Sequence, residues 1–172
     1  KIHGPKGIGC LYISSGTRLQ PLFSGGDQER TIRPGTLNVS GIIGFAAAVQ
    51  LLNTEKTAQV IELRKQLVTG LRDMDGVSIN GSPTAPHIVN VGFAGFDNQA
   101  LMMALDLAGF AVSIGSACAA GSSVPSYVLQ AMKVSDSIIK GSLRVSLSRF
   151  NTTEEVEQLL EVLRTTVQKM KK

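Results

Sequence analysis

Residues 113–121 read SIGSACAAG, and Cys118 is the one thiol in that stretch. Its neighbours are glycine, serine and alanine, and GSSVP follows at 121–125. Two readings stay open. Cys118 is either a small residue packed into a tight turn or a nucleophile on a loop built to move. Gly115 and Gly121 loosen the backbone, and Ser116, Ser122 and Ser123 keep the segment hydrated. A free thiol has a pKa of about 8.5, so only a few per cent is thiolate at neutral pH. A helix predicted from Pro125, with the proline in its first turn, would favour the anion through its N-terminus.

Arg144 is the second candidate. In SLRVSLS (142–148) period-two alternation puts Leu143, Val145 and Leu147 on one face and Arg144, Ser146 and Ser148 on the other. Arg144 is either an ordinary surface arginine or a guanidinium in a cleft. In a cleft, its planar fork could hold a carboxylate with two hydrogen bonds. Arg33-Pro34-Gly35-Thr36 closes a polar loop just before a predicted helix and could offer a hydroxyl and backbone N–H groups to a phosphate. Lys1 and Lys6 flank His3 in a Gly/Pro loop and carry no special signal on their own. Cys10 lies between Ile8, Leu11 and Tyr12, where a core position is expected. With two cysteines, no CxxC and only His3 and His87, no metal site is expected.

These residues need a scaffold, and the pattern along the chain supplies one. CLYI (10–13) reads as a short strand. Residues 38–53 are apolar on nearly every side, as in a buried or domain-linking helix. Residues 55–74 place Val60, Leu63, Leu67 and Leu71 on one helical face. VSIN (77–80), HIVNVGF (87–93) and FAVS (110–113) read as strands, and residues 98–109 as a helix ended by Gly109. Residues 151–170 open on a Thr152–Glu155 capping box and carry Val156, Leu159, Leu160, Leu163 and Val167 as an apolar stripe. The class is α/β, a small sheet with helices packed on it, and residue 53 marks the expected boundary between two domains.

Composition narrows the function classes. With 43% hydrophobic and 17% charged residues, the 172-residue chain is globular. Its longest apolar stretch, IIGFAAAVQLL (42–52), is too short to span a bilayer, so no membrane role is expected. The net charge of +4 owes much to RTTVQKMKK at the end, which suits a solvated helix terminus. Aromatics are only 5% and none interleave with these cations, so no direct nucleic-acid contact is expected. The cysteine usage fits a reducing, cytoplasmic compartment.

Four segments in order, KIHGPKGIG, GGDQERTIRPGT, SIGSACAAGSSVPSYVL and SLRVSLSRF, resemble the second half of cysteine desulfurases of the NifS/IscS group. That group belongs with the class V aminotransferases, which use pyridoxal 5'-phosphate. The resemblance covers essentially the whole chain, and its SxGSAC loop is the most specific motif. It implies the C-terminal part of a fold-type I pyridoxal-phosphate enzyme. Residues 1–53 would be the end of the large cofactor-binding domain, and residues 54–172 the small α/β domain with the cysteine loop.

The same resemblance implies roles. Lys1 matches the lysine that forms the Schiff base with the cofactor. Thr36 matches the threonine that contacts the cofactor phosphate of a neighbouring subunit, which implies a homodimer. Arg144 matches the arginine that binds the substrate carboxylate. Cys118 matches the cysteine that takes sulfur from L-cysteine as a persulfide, leaving L-alanine. The persulfide would pass to a sulfur-acceptor protein, an iron–sulfur scaffold or a tRNA-thiolation enzyme. One departure is Gln99, where the family commonly has an acidic residue.

The family's other half, with most cofactor contacts, is not among these residues. The 172-residue chain alone is therefore expected to be inactive, which assay of sulfide and alanine would check. Two readings compete: a related lyase or aminotransferase acting on another amino acid, and a non-catalytic small domain that dimerises or docks a sulfur acceptor.

Overall fold

The structure, a computed structural model, describes residues 1–52, 54–82, 85–114 and 125–171, with only the helical backbone for 54–56. The chain divides into two compact units, Lys1–Asn53 and Thr54–Lys172.

The first unit is mostly irregular and ends in helix α1, Val39–Gln50. Asn38 caps it, its side chain accepting from the Gly41 N–H at 3.0 Å. The strand and core expectations for 10–13 fail here, and so does the burial, though not the domain-linking alternative, expected of the apolar helix. No strand forms at 10–13, because no described segment pairs with it, and Leu11 and Tyr12 are exposed. Cys10 is accordingly exposed and not a core residue. The all-round apolar helix is not buried either: of its residues only Gly41 and Ala48 are, while Val39, Ile42, Ile43 and Val49 face outward.

The second unit is built on a three-stranded antiparallel sheet. β1 (Val77–Ile79), β2 (Ile88–Phe93) and β3 (Ser142–Ser146) lie in that order, with Val77 opposite Phe93 and Val91 opposite Leu143. Alternation gives the sheet two unlike faces. Val89, Val91, Phe93, Leu143 and Val145 point into the core. Asn90, Ser142 and Arg144 stand on the opposite face, Asn90 directly across from Arg144.

Three helices cover the core face: α2 (Thr54–Arg72), α3 (Asn98–Leu107) and α6 (Thr153–Met170). Both long helices bury the stripe their sequence announces, Val60, Leu63, Leu67 and Leu71 on α2 and Val156 to Val167 on α6. Asp97 caps α3, accepting from the N–H groups of Gln99 and Ala100 at 2.9 Å. The capping box of α6 is present in both directions, with Glu155 N–H donating to Thr152 Oγ1 and Thr152 N–H to Glu155 Oε2. A hydrogen bond from Asn151, with that from the Thr152 backbone, holds the Glu155 carboxyl below its ordinary range. Leu67 is fully buried, so Leu67→Ala is expected to cost about 2–5 kcal/mol. Chemical denaturation checks this, and a loss below about 1 kcal/mol would contradict the packing described.

Among the described residues between α3 and β3 are two short helices, α4 (Tyr127–Ala131) and α5 (Asp136–Lys140). The expected helix start is displaced: Ser126 caps α4 and Pro125 lies outside it. α5 packs against the non-core face of β2, and Gly141 at its C-terminus passes so close to β2 that a Cβ there would sit 1.9 Å from the Phe93 carbonyl oxygen. Gly141 therefore fixes how closely α5 feeds into β3. The expected strand at 110–113 is reduced to one bridge, Ser113 with Arg144.

Candidate functional site

Arg144 occupies the third position of β3, between Leu143 and Val145 in the core, so its own side chain leaves the other face. Its backbone is held on both sides. Asn90 of β2 lies across on one edge. On the other, Ser113 N–H donates to the Arg144 carbonyl at 3.1 Å and Arg144 N–H donates to the Ser113 carbonyl at 2.6 Å. The side chains meet as well: Arg144 Nη2 donates to Ser113 Oγ at 3.3 Å.

The guanidinium is half-buried, and its Nε–H is shut off from solvent with no hydrogen-bond partner among the described residues. A buried N–H without a partner is costly, and in native proteins it often marks a ligand-binding or catalytic position. No described carboxylate pairs with Arg144; Lys65–Glu62 and Arg164–Glu161 are ion pairs on helix surfaces away from it in the sequence. The polar groups beside it satisfy one another. Asn80 Nδ2 donates to Asn90 Oδ1 at 2.7 Å and to Ser142 Oγ at 3.1 Å, and Ser142 Oγ donates to the Ile138 carbonyl at 2.7 Å. What remains is a cation with spare donors in a partly dry setting, suited to a carboxylate.

Cys118 lies outside the described residues. The described chain leaves the Ser113 bridge at Ile114 and resumes at Pro125. α4 is only five residues long.

In the first unit, a cleft of about 840 Å³ opens between residues 7–13 and residues 29–45, and Arg30, Arg33, Gly35, Thr36 and Asn38 are on its wall. The backbone is unusual there. Glu29, Arg30 and Thr31 all have positive φ, at 48°, 58° and 66°, a conformation L-residues rarely hold in succession. Gly35, at φ 110°, makes the turn into Thr36 that other residues would resist. The Gly35 N–H donates to Gln28 Oε1 at 3.0 Å. Arg33 donates to the Pro34 carbonyl and lies over the Phe23 ring at 5.9 Å. Arg30, Arg33 and Thr36 on this lining offer donors to a phosphate group, beside one carboxylate, Glu29, which opposes an anion. Lys1 is exposed in the same unit.

The structure thus brings Arg144 together with Ser113, which the sequence marks only as the end of an expected strand. The pairing joins positions 31 apart and has no local signature. Arg30 lies within the GGDQERTIRPGT segment, but nothing in its type or spacing singles it out; it lines the cleft and has a positive φ of 58°. Among the described residues, no three His, Cys, Asp or Glu side chains group as metal ligands, and no helix is long and apolar enough to cross a membrane.

Comparison with known proteins adds a family to this geometry. Residues 1–159 match the family described as Aminotransferase class-V. The cysteine desulfurase IscS of Methanosarcina thermophila is 42% identical over 176 aligned residues, covering 99% of this chain and 44% of the relative. A solved NifS-like protein superposes with a TM-score of 0.81 at 34% identity, covering 97% of this chain and 44% of its own. SspA, solved in complex with cysteine, superposes with a TM-score of 0.64 at 30% identity, over 88% of this chain and 42% of its own. The chain spans less than half the length of the curated relatives it matches.

Proposed function

The chain belongs to the class V aminotransferase family, and from that premise we propose that it is the part of a cysteine desulfurase that carries the substrate clamp and the sulfur-accepting thiol. The observation that carries this reading is the Ser113–Arg144 bridge. It pairs Ser113, five residues before Cys118 in the sequence, with Arg144, whose Nε–H, like that of Arg64, is buried without a hydrogen-bond partner among the described residues.

In this reading Arg144 binds the carboxylate of L-cysteine and fixes the direction in which its sulfur points. Lys1 takes the proton from the substrate Cα and returns one to the carbon skeleton, as general base and then acid. The Cys118 thiolate attacks the substrate sulfur. An S–S bond forms, the substrate C–S bond breaks, and its electron pair stays with the carbon, which is protonated to give L-alanine. Cys118 is left as a persulfide.

Pyridoxal phosphate, when bound, supplies the electron sink that makes the Cα–H and C–S cleavages accessible. Thr36 would hold its phosphate, with Arg33 and Arg30 adding charge from the same wall. By the family's pattern Thr36 would do so across a homodimer. The persulfide then passes to an acceptor protein that feeds iron–sulfur clusters or tRNA thiolation, in the cytoplasm. Residues 1–53 would belong to the large domain and 54–172 to the small one, a division in keeping with the two compact units.

Product identity tests the reaction class. The full-length protein with cofactor and L-cysteine is expected to give L-alanine, with sulfide released only when a thiol reductant is added. Formation of a keto acid in place of alanine would sink the reading: a keto acid that keeps its sulfur would identify an aminotransferase, and pyruvate with ammonia a lyase.

A further inference from the structure

We propose that Ser113 is a positioning residue for the substrate clamp: its hydroxyl accepts from Arg144 Nη2 and so sets the orientation in which the guanidinium meets a carboxylate. The inference rests on the carboxylate role proposed for Arg144 and deepens it. An arginine side chain is long and keeps much rotamer freedom unless something fixes its head group. The backbone of Arg144 is fixed by the two hydrogen bonds exchanged with Ser113. That leaves the side-chain torsions, and among the described residues the hydrogen bond that holds the guanidinium is the one to Ser113 Oγ. Asn90, though directly across the sheet, is engaged with Asn80.

The hydroxyl suits this task. It accepts from Nη2 without neutralising the charge, as a carboxylate would, so the cation stays available to the substrate. Both residues are half-buried, which strengthens the contact relative to one in open water. The same residue also forms the last described bridge before the Cys118 segment.

The test compares variants of the holoenzyme by KM and kcat with L-cysteine, and by calorimetric binding of L-alanine, which shares the carboxylate. Ser113→Ala is expected to raise KM and the alanine Kd by about 5- to 10-fold with kcat within about 2-fold, consistent with one hydrogen bond to a charged group acting indirectly. Ser113→Thr keeps the hydroxyl and should restore wild-type values. On an Arg144→Lys background, Ser113→Ala should add less than about 2-fold, because the head group it positions is gone.

An unchanged alanine Kd in Ser113→Ala, or full multiplication of the two effects, overturns the proposal. A fall in kcat alone overturns it too, as the mark of a merely structural role. If Arg144→Lys leaves alanine binding intact, the carboxylate reading itself fails. If Arg144→Lys weakens binding and Ser113→Ala does not, only the role of Ser113 fails.

Discussion

Replacing Cys118 by serine in the full-length protein is expected to reduce alanine formation from L-cysteine by at least about 1000-fold while leaving L-alanine binding within about 2-fold of wild type. The two atoms differ in what they can bond. A thiolate attacks a sulfur atom and leaves a stable S–S bond, whereas a serine hydroxyl, scarcely ionised at neutral pH, has no equivalent product. In the proposed reading carboxylate binding uses Arg144, so the change is expected to leave it untouched. A family member that ran transamination would need no thiol here, so retention of more than about a tenth of the activity would remove sulfur transfer from the account. Cys10→Ser is the natural control. That thiol is exposed and lines the cleft of the first unit, so its serine variant asks whether the thiol itself, and not the cleft, is needed: no persulfide is expected on it, and alanine formation is expected to persist.

The second large effect belongs to Arg144. Two charge-assisted hydrogen bonds to a carboxylate are worth about 1.5–3 kcal/mol each, so Arg144→Ala is expected to lower kcat/KM for L-cysteine by about 10²–10⁴-fold. Arg144→Lys keeps the charge and loses the fork, and should recover only part of the loss. Circular dichroism and thermal melting should stay close to wild type. The side chain stands on the non-core face, and the packing of β3 rests on Leu143 and Val145. A kcat/KM within about 3-fold of wild type would return Arg144 to the surface arginine that its sequence context also allowed.

Much of the second unit is legible in the sequence because its physics is local. α2 and α6 show helical periodicity over 19 and 18 residues, and α6 adds a capping box that forms as written. β3 alternates cleanly, which is why the exit of Arg144 from the core can be read from the sequence alone. Short or partner-dependent features are not legible. α5 has five residues, too few for a period to show. CLYI and FAVS carry the composition of strands, but a strand also needs a neighbour, and of these residues only Ser113 finds one among the described segments. The apolar composition of α1 suggests burial, yet composition records hydrophobicity and not what lies opposite, and most of the helix is exposed. The Ser113 contact is hidden for the same reason: it depends on which segments the fold makes adjacent.

The most direct test of the central claim is to find where the sulfur goes. Full-length protein would be treated with cofactor and L-cysteine without reductant, its thiols blocked, and its peptides mapped by mass spectrometry. One additional sulfur atom on the peptide containing Cys118, in amount matching the alanine formed and removed by a thiol reductant, is the result expected. Alanine formed with no extra sulfur on that peptide, or with the sulfur on Cys10, would contradict it.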